Sequence, residues 1–144
     1  MIIDHIAIWT GNLEVMKDYY VKFFDGVANP KYVNRETMFQ SYFISFGSGC
    51  RIELMQRTGV PANMNDTVVK QHEGIIHIAF GMKRMEQVIA KSEELRDAGF
   101  RILRGPRVTG DGYFEFETLD PDNNRIEVTA VISQKHEEDR RYHI

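Results

Sequence analysis

His5-Ile6-Ala7, near the start of the chain, returns as His77-Ile78-Ala79, 72 residues later, and Arg51-Ile52-Glu53-Leu54 returns as Arg125-Ile126-Glu127-Val128 after 74. One recurring tripeptide carries little weight. Two motifs in the same order, at nearly the same offset, make the chain two copies of one module, residues 1–57 and 74–131.

The sequence between the motifs supports the duplication. Residues 2–9 are apolar and Ile-rich, as a strand requires. Asn12 is a helix cap, and Leu13, Met16, Tyr19, Tyr20, Phe23 and Phe24 recur at helical spacing up to a stop at Gly26. In the second copy, residues 75–81 form the strand. Met85, Val88, Ile89, Leu95 and Ala98 make the helical stripe, and Gly99 ends it. Strands follow at 31–34, 39–46 and 50–57, then at 101–108, 113–119 and 125–131, with turns at Gly47-Ser48-Gly49 and Pro121-Asp122-Asn123-Asn124. The predicted fold is α+β, with two βαβββ modules in one domain over 1–131. Residues 58–73 read as a linker, and 132–144 as a polar, charged tail.

Strand alternation then sorts the side chains. Ile2, Ile6 and Ile8 share one face of the first strand and His5 takes the other; Glu53 is opposite Ile52 and Leu54. His77 is opposite Ile76, Ile78 and Phe80, and Glu127 is opposite Ile126, Val128 and Ala130. The apolar faces pack under the helices, leaving His5, Glu53, His77 and Glu127 on a face free to line a cavity. Two imidazoles and two carboxylates suit one divalent ion such as zinc, nickel, cobalt, manganese or iron. Cys50, the one cysteine, falls on the wrong strand face for a thiolate ligand. A lone strand histidine is more often a hydrogen-bonded core residue, but accidents do not repeat at matched offsets. Trp9, Phe39, Phe43 and Met55 are candidate pocket liners, though core positions suit them better. His72, His136 and His143 fall in linker or tail.

Composition narrows the function classes. The 144 residues are 42% hydrophobic and 27% charged, which excludes disorder and repetitive fibres. With 18 basic against 21 acidic residues the net charge is −3, which argues against a nucleic-acid partner. No apolar run approaches a membrane span, and Met1-Ile2-Ile3-Asp4 lacks a basic export leader, so a cytoplasmic protein is expected.

These residues resemble the vicinal oxygen chelate superfamily and, within it, glyoxalase I (lactoylglutathione lyase). The resemblance covers residues 1–131. It rests on His5, Glu53, His77 and the run Asp120-Pro121-Asp122-Asn123-Asn124-Arg125-Ile126-Glu127, where Asn123 takes a place usually held by Gly. Fosfomycin-resistance enzymes and extradiol dioxygenases look like His, His, Glu sites without a carboxylate at Glu53; methylmalonyl-CoA epimerases carry Gln there. The full set looks most like glyoxalase I.

The resemblance implies a curved mixed sheet lining a metal-binding cleft, one divalent ion (zinc or nickel foremost) and a homodimer in which modules of two chains share each site. It also implies proton transfer through an enediolate, turning a 2-oxoaldehyde–thiol hemithioacetal into a 2-hydroxyacyl thioester. Glu127 is the favoured base and Glu53 the other candidate, each more basic once substrate displaces it from the metal. Two departures touch the thiol: Trp9 stands where an Arg commonly meets glutathione, and Arg57-Thr58 where an Asn helps hold it. Arg57, on the strand face of Glu53, is either a substitute charge or a solvated side chain. The rival readings are a small-molecule binding or resistance protein and an epimerase of coenzyme-A thioesters. The latter needs a basic pocket mouth, and no stretch after Arg57 is strongly basic.

Overall fold

In the first module, β1 (His5–Trp9) is followed by α1 (Leu13–Phe24), β2 (Val27–Ala28), β3 (Tyr32–Asn34), β4 (Phe39–Ser45) and β5 (Arg51–Arg57). This is a computed structural model, and it describes residues 1–47 and 49–132. The first strand runs parallel to the last, giving the sheet order β1-β5-β4-β2, with β3 also pairing with β4. The expected strand at 2–9 begins only at His5. The Arg51 amide donates to the Asp4 carbonyl, and β5 supplies no earlier partner, so Ile2 and Ile3 are exposed and Ile2 shares no sheet face. Cys50 likewise precedes its strand.

Asn12 caps α1, its side-chain oxygen accepting from the Val15 amide at 3.4 Å. The predicted apolar stripe is buried along its whole length. The stop falls one residue earlier than predicted, at Asp25 in the left-handed region (φ 54°). Gly26 is required for a different reason: a Cβ there would lie 2.5 Å from Ile44 Cγ2 and 2.9 Å from the Tyr20 carbonyl oxygen. The two-residue β2 follows at once, too short to leave a sequence period.

The second module repeats the plan with β6 (His77–Met82), α2 (Met85–Asp97), β7 (Ile102–Val108), β8 (Tyr113–Leu119) and β9 (Arg125–Val131), in sheet order β6-β9-β8-β7. Of the predicted helical stripe, Val88 and Leu95 are fully buried, but Ile89 is partly exposed and Ser92 takes a core position. Ser92 fits because its hydroxyl donates to the Ile89 carbonyl at 2.7 Å. The turn before β9 is held by Asp120, whose Oδ1 accepts from the Asp122 and Asn124 amides, while Asn123 adopts φ 63°. Asn tolerates that left-handed conformation better than most residues.

The chain divides into two compact units, residues 1–65 and one beginning at Asp66. Each has its own core: Met16, Tyr20, Ile44 and Leu54 in the first, Val88, Leu95, Ile126 and Val128 in the second. Burying such side chains stabilises each unit by about 1.5–3 kcal/mol apiece before entropy is counted. Within residues 58–73, Thr67–Val69 form a turn whose Asp66 side chain accepts from the Val69 amide. The tail at 133–144, including His136 and His143, lies outside the described residues.

Candidate functional site

The β1–β5 register sets Ala7 opposite Glu53, and β6–β9 sets Ala79 opposite Glu127. In both modules the histidine stands two residues earlier, on the same face as the glutamate. His5 Nε2 is 3.7 Å from Glu53 Oε2, and His77 Nε2 is 3.7 Å from Glu127 Oε2. The glutamates are largely covered, with side chains 16% and 14% exposed, while the histidines are more open.

At 3.7 Å neither pair is hydrogen-bonded. In the first module the reason is visible. His5 Nδ1 is 2.8 Å from Asp4 Oδ2, and Arg51 Nη2 holds the same oxygen. In the neutral tautomer that donates Nδ1–H to Asp4, the lone pair of Nε2 faces the Glu53 carboxylate, and these two electron-rich atoms flank a gap that suits a cation. Ligand distances of about 2.0–2.2 Å to zinc put neighbouring ligand atoms about 3–3.5 Å apart, so a small side-chain movement brings both into range. The donor set therefore fits a divalent metal. Each unit contributes one His–Glu pair, and among the described residues no group of three or more His, Cys, Asp or Glu able to hold a metal is found within either unit.

The surroundings of the pairs differ. In the first module Phe43 pairs with Glu53 across β4 and β5, and its ring meets the His5 ring edge-on at 5.3 Å. Arg51 stacks over Phe43 at 4.4 Å. Further along, Trp9 meets Phe39 edge-on, and Arg57 lies 5.5 Å from the Trp9 ring centre. Trp9, Phe39, Phe43 and Met55 thus belong to the face of Glu53, not to the core under α1. Arg57 is a stacked cation at the strand end. His72 is exposed, as expected.

In the second module the partner of Glu127 is Glu117, and Glu115 pairs with Thr129. Arg125 Nη1 meets Glu117 Oε2 at 2.5 Å with both side chains buried, and Arg107 holds Glu115 at 2.9 Å. Burial pushes the Glu127 carboxyl above its ordinary range; Glu115 adds to the rise and His77 opposes it. A carboxylate so placed is a stronger base than one in water.

Sequence reading missed Asp4, Glu115, Glu117, Arg107 and the separate jobs of Arg51 and Arg125. Period-2 alternation carried one strand further, through Tyr113, Glu115 and Glu117, would have exposed the acidic face. Arg101 and Arg104, three residues apart in the sequence, line one cavity together with Arg125 from β9.

The first strand parallel to the last, one helix over the sheet and the whole unit given twice define an α+β fold whose open faces each carry a paired His and Glu. The chain belongs to the Glyoxalase/Bleomycin resistance protein/Dioxygenase superfamily, whose model matches residues 2–128. No curated protein matches it. Among solved structures it is similar to a glyoxylase/bleomycin resistance protein/dioxygenase domain from Frankia sp. EAN1pec, with TM-score 0.74 and 17% identity, covering 90% of this chain and 96% of that one. It is also similar to the trypanothione-dependent glyoxalase I of Leishmania major, with TM-score 0.71, 22% identity and coverage of 98% and 93%. The fosfomycin resistance protein FosX of Listeria monocytogenes, complexed with Mn(II) and sulfate, gives TM-score 0.64, 16% identity and coverage of 94% and 96%. No helix among the described residues is long and apolar enough to cross a membrane.

Proposed function

We propose that the protein is a metal-dependent lyase or isomerase of the glyoxalase I type, acting on the hemithioacetal of a 2-oxoaldehyde and a thiol. The observation that carries this reading is the matched His–Glu pair, presented identically by both modules. One pair is too few ligands for a stable site, so the reading requires a first-module pair and a second-module pair to meet. We assign His5, Glu53, His77 and Glu127 to one divalent ion, zinc or nickel foremost, in a homodimer that shares its sites.

The bound ion supplies positive charge where an enediolate oxygen develops. The chain's own residues do the rest. Asp4 and Arg51 hold the His5 ring so that Nε2 points to the site. Glu127, already pushed toward basicity by burial, takes the proton from the carbon next to the carbonyl and returns it to the adjacent carbon. Phe43 and the aromatic edge beyond it offer an apolar wall against which the substrate can pack.

The test is turnover of methylglyoxal with a panel of low-molecular-weight thiols, on protein stripped of metal and reloaded with zinc, nickel, cobalt or manganese. Thioester formation restored by a divalent ion is the expected result. A protein that takes up metal, binds small molecules and turns over none of these adducts is instead a binding member of the superfamily.

A further inference from the structure

Beyond the His–Glu pair of the first module, the same sheet face ends in a cluster of rings. Trp9 of β1 meets Phe39 of β4 edge-on at 6.0 Å, and Phe39 lies 6.1 Å from Tyr32 of β3 with the planes tilted by 57°. The register puts Arg57 of β5 opposite Phe39, and its guanidinium lies 5.5 Å from the centre of the Trp9 ring. Rings from three strands thus gather around one cation. They are not core: Trp9 is 42% exposed and Tyr32 52%. A contiguous exposed aromatic patch marks a place where something binds. Arg57 forms no ion pair among the described residues, and Glu53 is the one acidic residue on strands β1 to β5. Four residues separate Glu53 from Arg57, which is about 13 Å along a strand that rises about 3.3 Å per residue. Met55 and Ser41, paired across β5 and β4, lie between them and carry no charge.

We infer that Trp9, Phe39, Tyr32 and Arg57 form a subsite for a planar aromatic group carried by the substrate. Ring edges and faces offer offset or edge-to-face contacts that a saturated group cannot match, and a guanidinium stacks on a flat π system. The free charge of Arg57 repels a cationic group from the same place. The subsite shares its face with His5 and Glu53, so one ligand can reach both, with its reacting carbon at the pair and its ring at the far end of the strand. Resting on the proposed function, this makes the substrate an adduct whose thiol portion ends in an aryl group, joined to the sulfur by an uncharged spacer.

Trp9 is the one tryptophan of the chain, so its fluorescence reports on the subsite directly and needs neither turnover nor metal. The experiment titrates the full chain with 4-phenylbutan-1-ol and separately with 4-cyclohexylbutan-1-ol, two neutral probes that differ only in the ring. It is run on the native protein, on Arg57→Gln/Tyr32→Leu and on His77→Ala. Expected is a saturable change in Trp9 emission, with the phenyl probe bound at least fivefold more tightly than the cyclohexyl probe. That preference should disappear in the double variant, which keeps its fold because both side chains are exposed, and persist in His77→Ala. A purely apolar surface would favour the more hydrophobic cyclohexyl probe, so equal or reversed affinities overturn the inference. So does an unchanged preference in the double variant. Trp9 emission that ignores both probes and shifts only on dilution assigns the rings to an interface between chains, and also overturns it. Phenyl preference in a protein without metal-dependent turnover would defeat the proposed function and leave the subsite standing; turnover without the preference would do the opposite.

Discussion

The two modules present the same His–Glu pair at the same 3.7 Å spacing, but on faces of opposite character. Where the first sets Phe43 against its glutamate, the second sets Glu117; where the first has Ser41 and Met55 paired, the second has Glu115 and Thr129. The arginine two residues before each glutamate is redirected accordingly. Arg51 reaches Asp4 at the surface and steadies the histidine, whereas Arg125 is buried on Glu117, and Ile76 stands where the first module has Asp4. The two modules share the His–Glu pair and differ in what surrounds it. One face is aromatic, the other a charged network beside the proposed base.

If that division is real, equivalent substitutions must have unequal effects. The largest is expected at the glutamates. Glu127→Gln keeps a metal-binding oxygen but cannot accept the proton, so kcat should fall about 10²–10⁴-fold with little change in affinity for a substrate analogue. Glu53→Gln at matched metal occupancy should lose much less, and the reverse order would exchange their roles.

Next come the arginines. Arg125→Ala leaves Glu117 buried and unpaired, which should cost about 3–5 kcal/mol in urea unfolding. Arg51→Ala should move the unfolding midpoint little, because Asp4 is open to solvent. Equal losses would remove the contrast between a structural and a positioning arginine.

Asp4→Ala should weaken metal binding about 10–100-fold through the freed His5 ring while leaving the fold intact. Ile76→Ala, at the equivalent place in the second module, should leave metal affinity unchanged.

The smallest effect lies at the start of α1, where Lys31 and Lys17 hold the exposed Glu14 carboxyl down to about 2. A depressed carboxyl pKa gives stability that is present above about pH 4.5 and lost as pH falls toward 2. Glu14→Gln should therefore cost less than about 1 kcal/mol at neutral pH, after solvent screening, and nothing below pH 2.

Much of this was legible in the chain. The repeated motifs and the period-2 alternation around His5, Glu53, His77 and Glu127 were enough to put each His on the face of its Glu and to give both module plans. What escaped depends on which strand lies beside which. Glu117 becomes a neighbour of Glu127 only through the β8–β9 register, and Arg101 meets Arg125 only once β7, β8 and β9 are side by side. A linear count of basic residues cannot see such a cluster. Ile2 read as strand because its own chemistry suits one, but a strand also requires a partner. The tail was expected to be a solvated segment or a short surface helix, and it lies outside the described residues.

The central claim is that one pair from each module completes a single metal site. It is tested most directly by counting divalent metal per chain, by elemental analysis, in the native protein and in His5→Ala and His77→Ala. The account predicts one equivalent per chain in the native protein and none in either variant, because each module supplies half of every site. Two equivalents in the native protein, with one retained in each variant, would show that each pair binds alone and would contradict it.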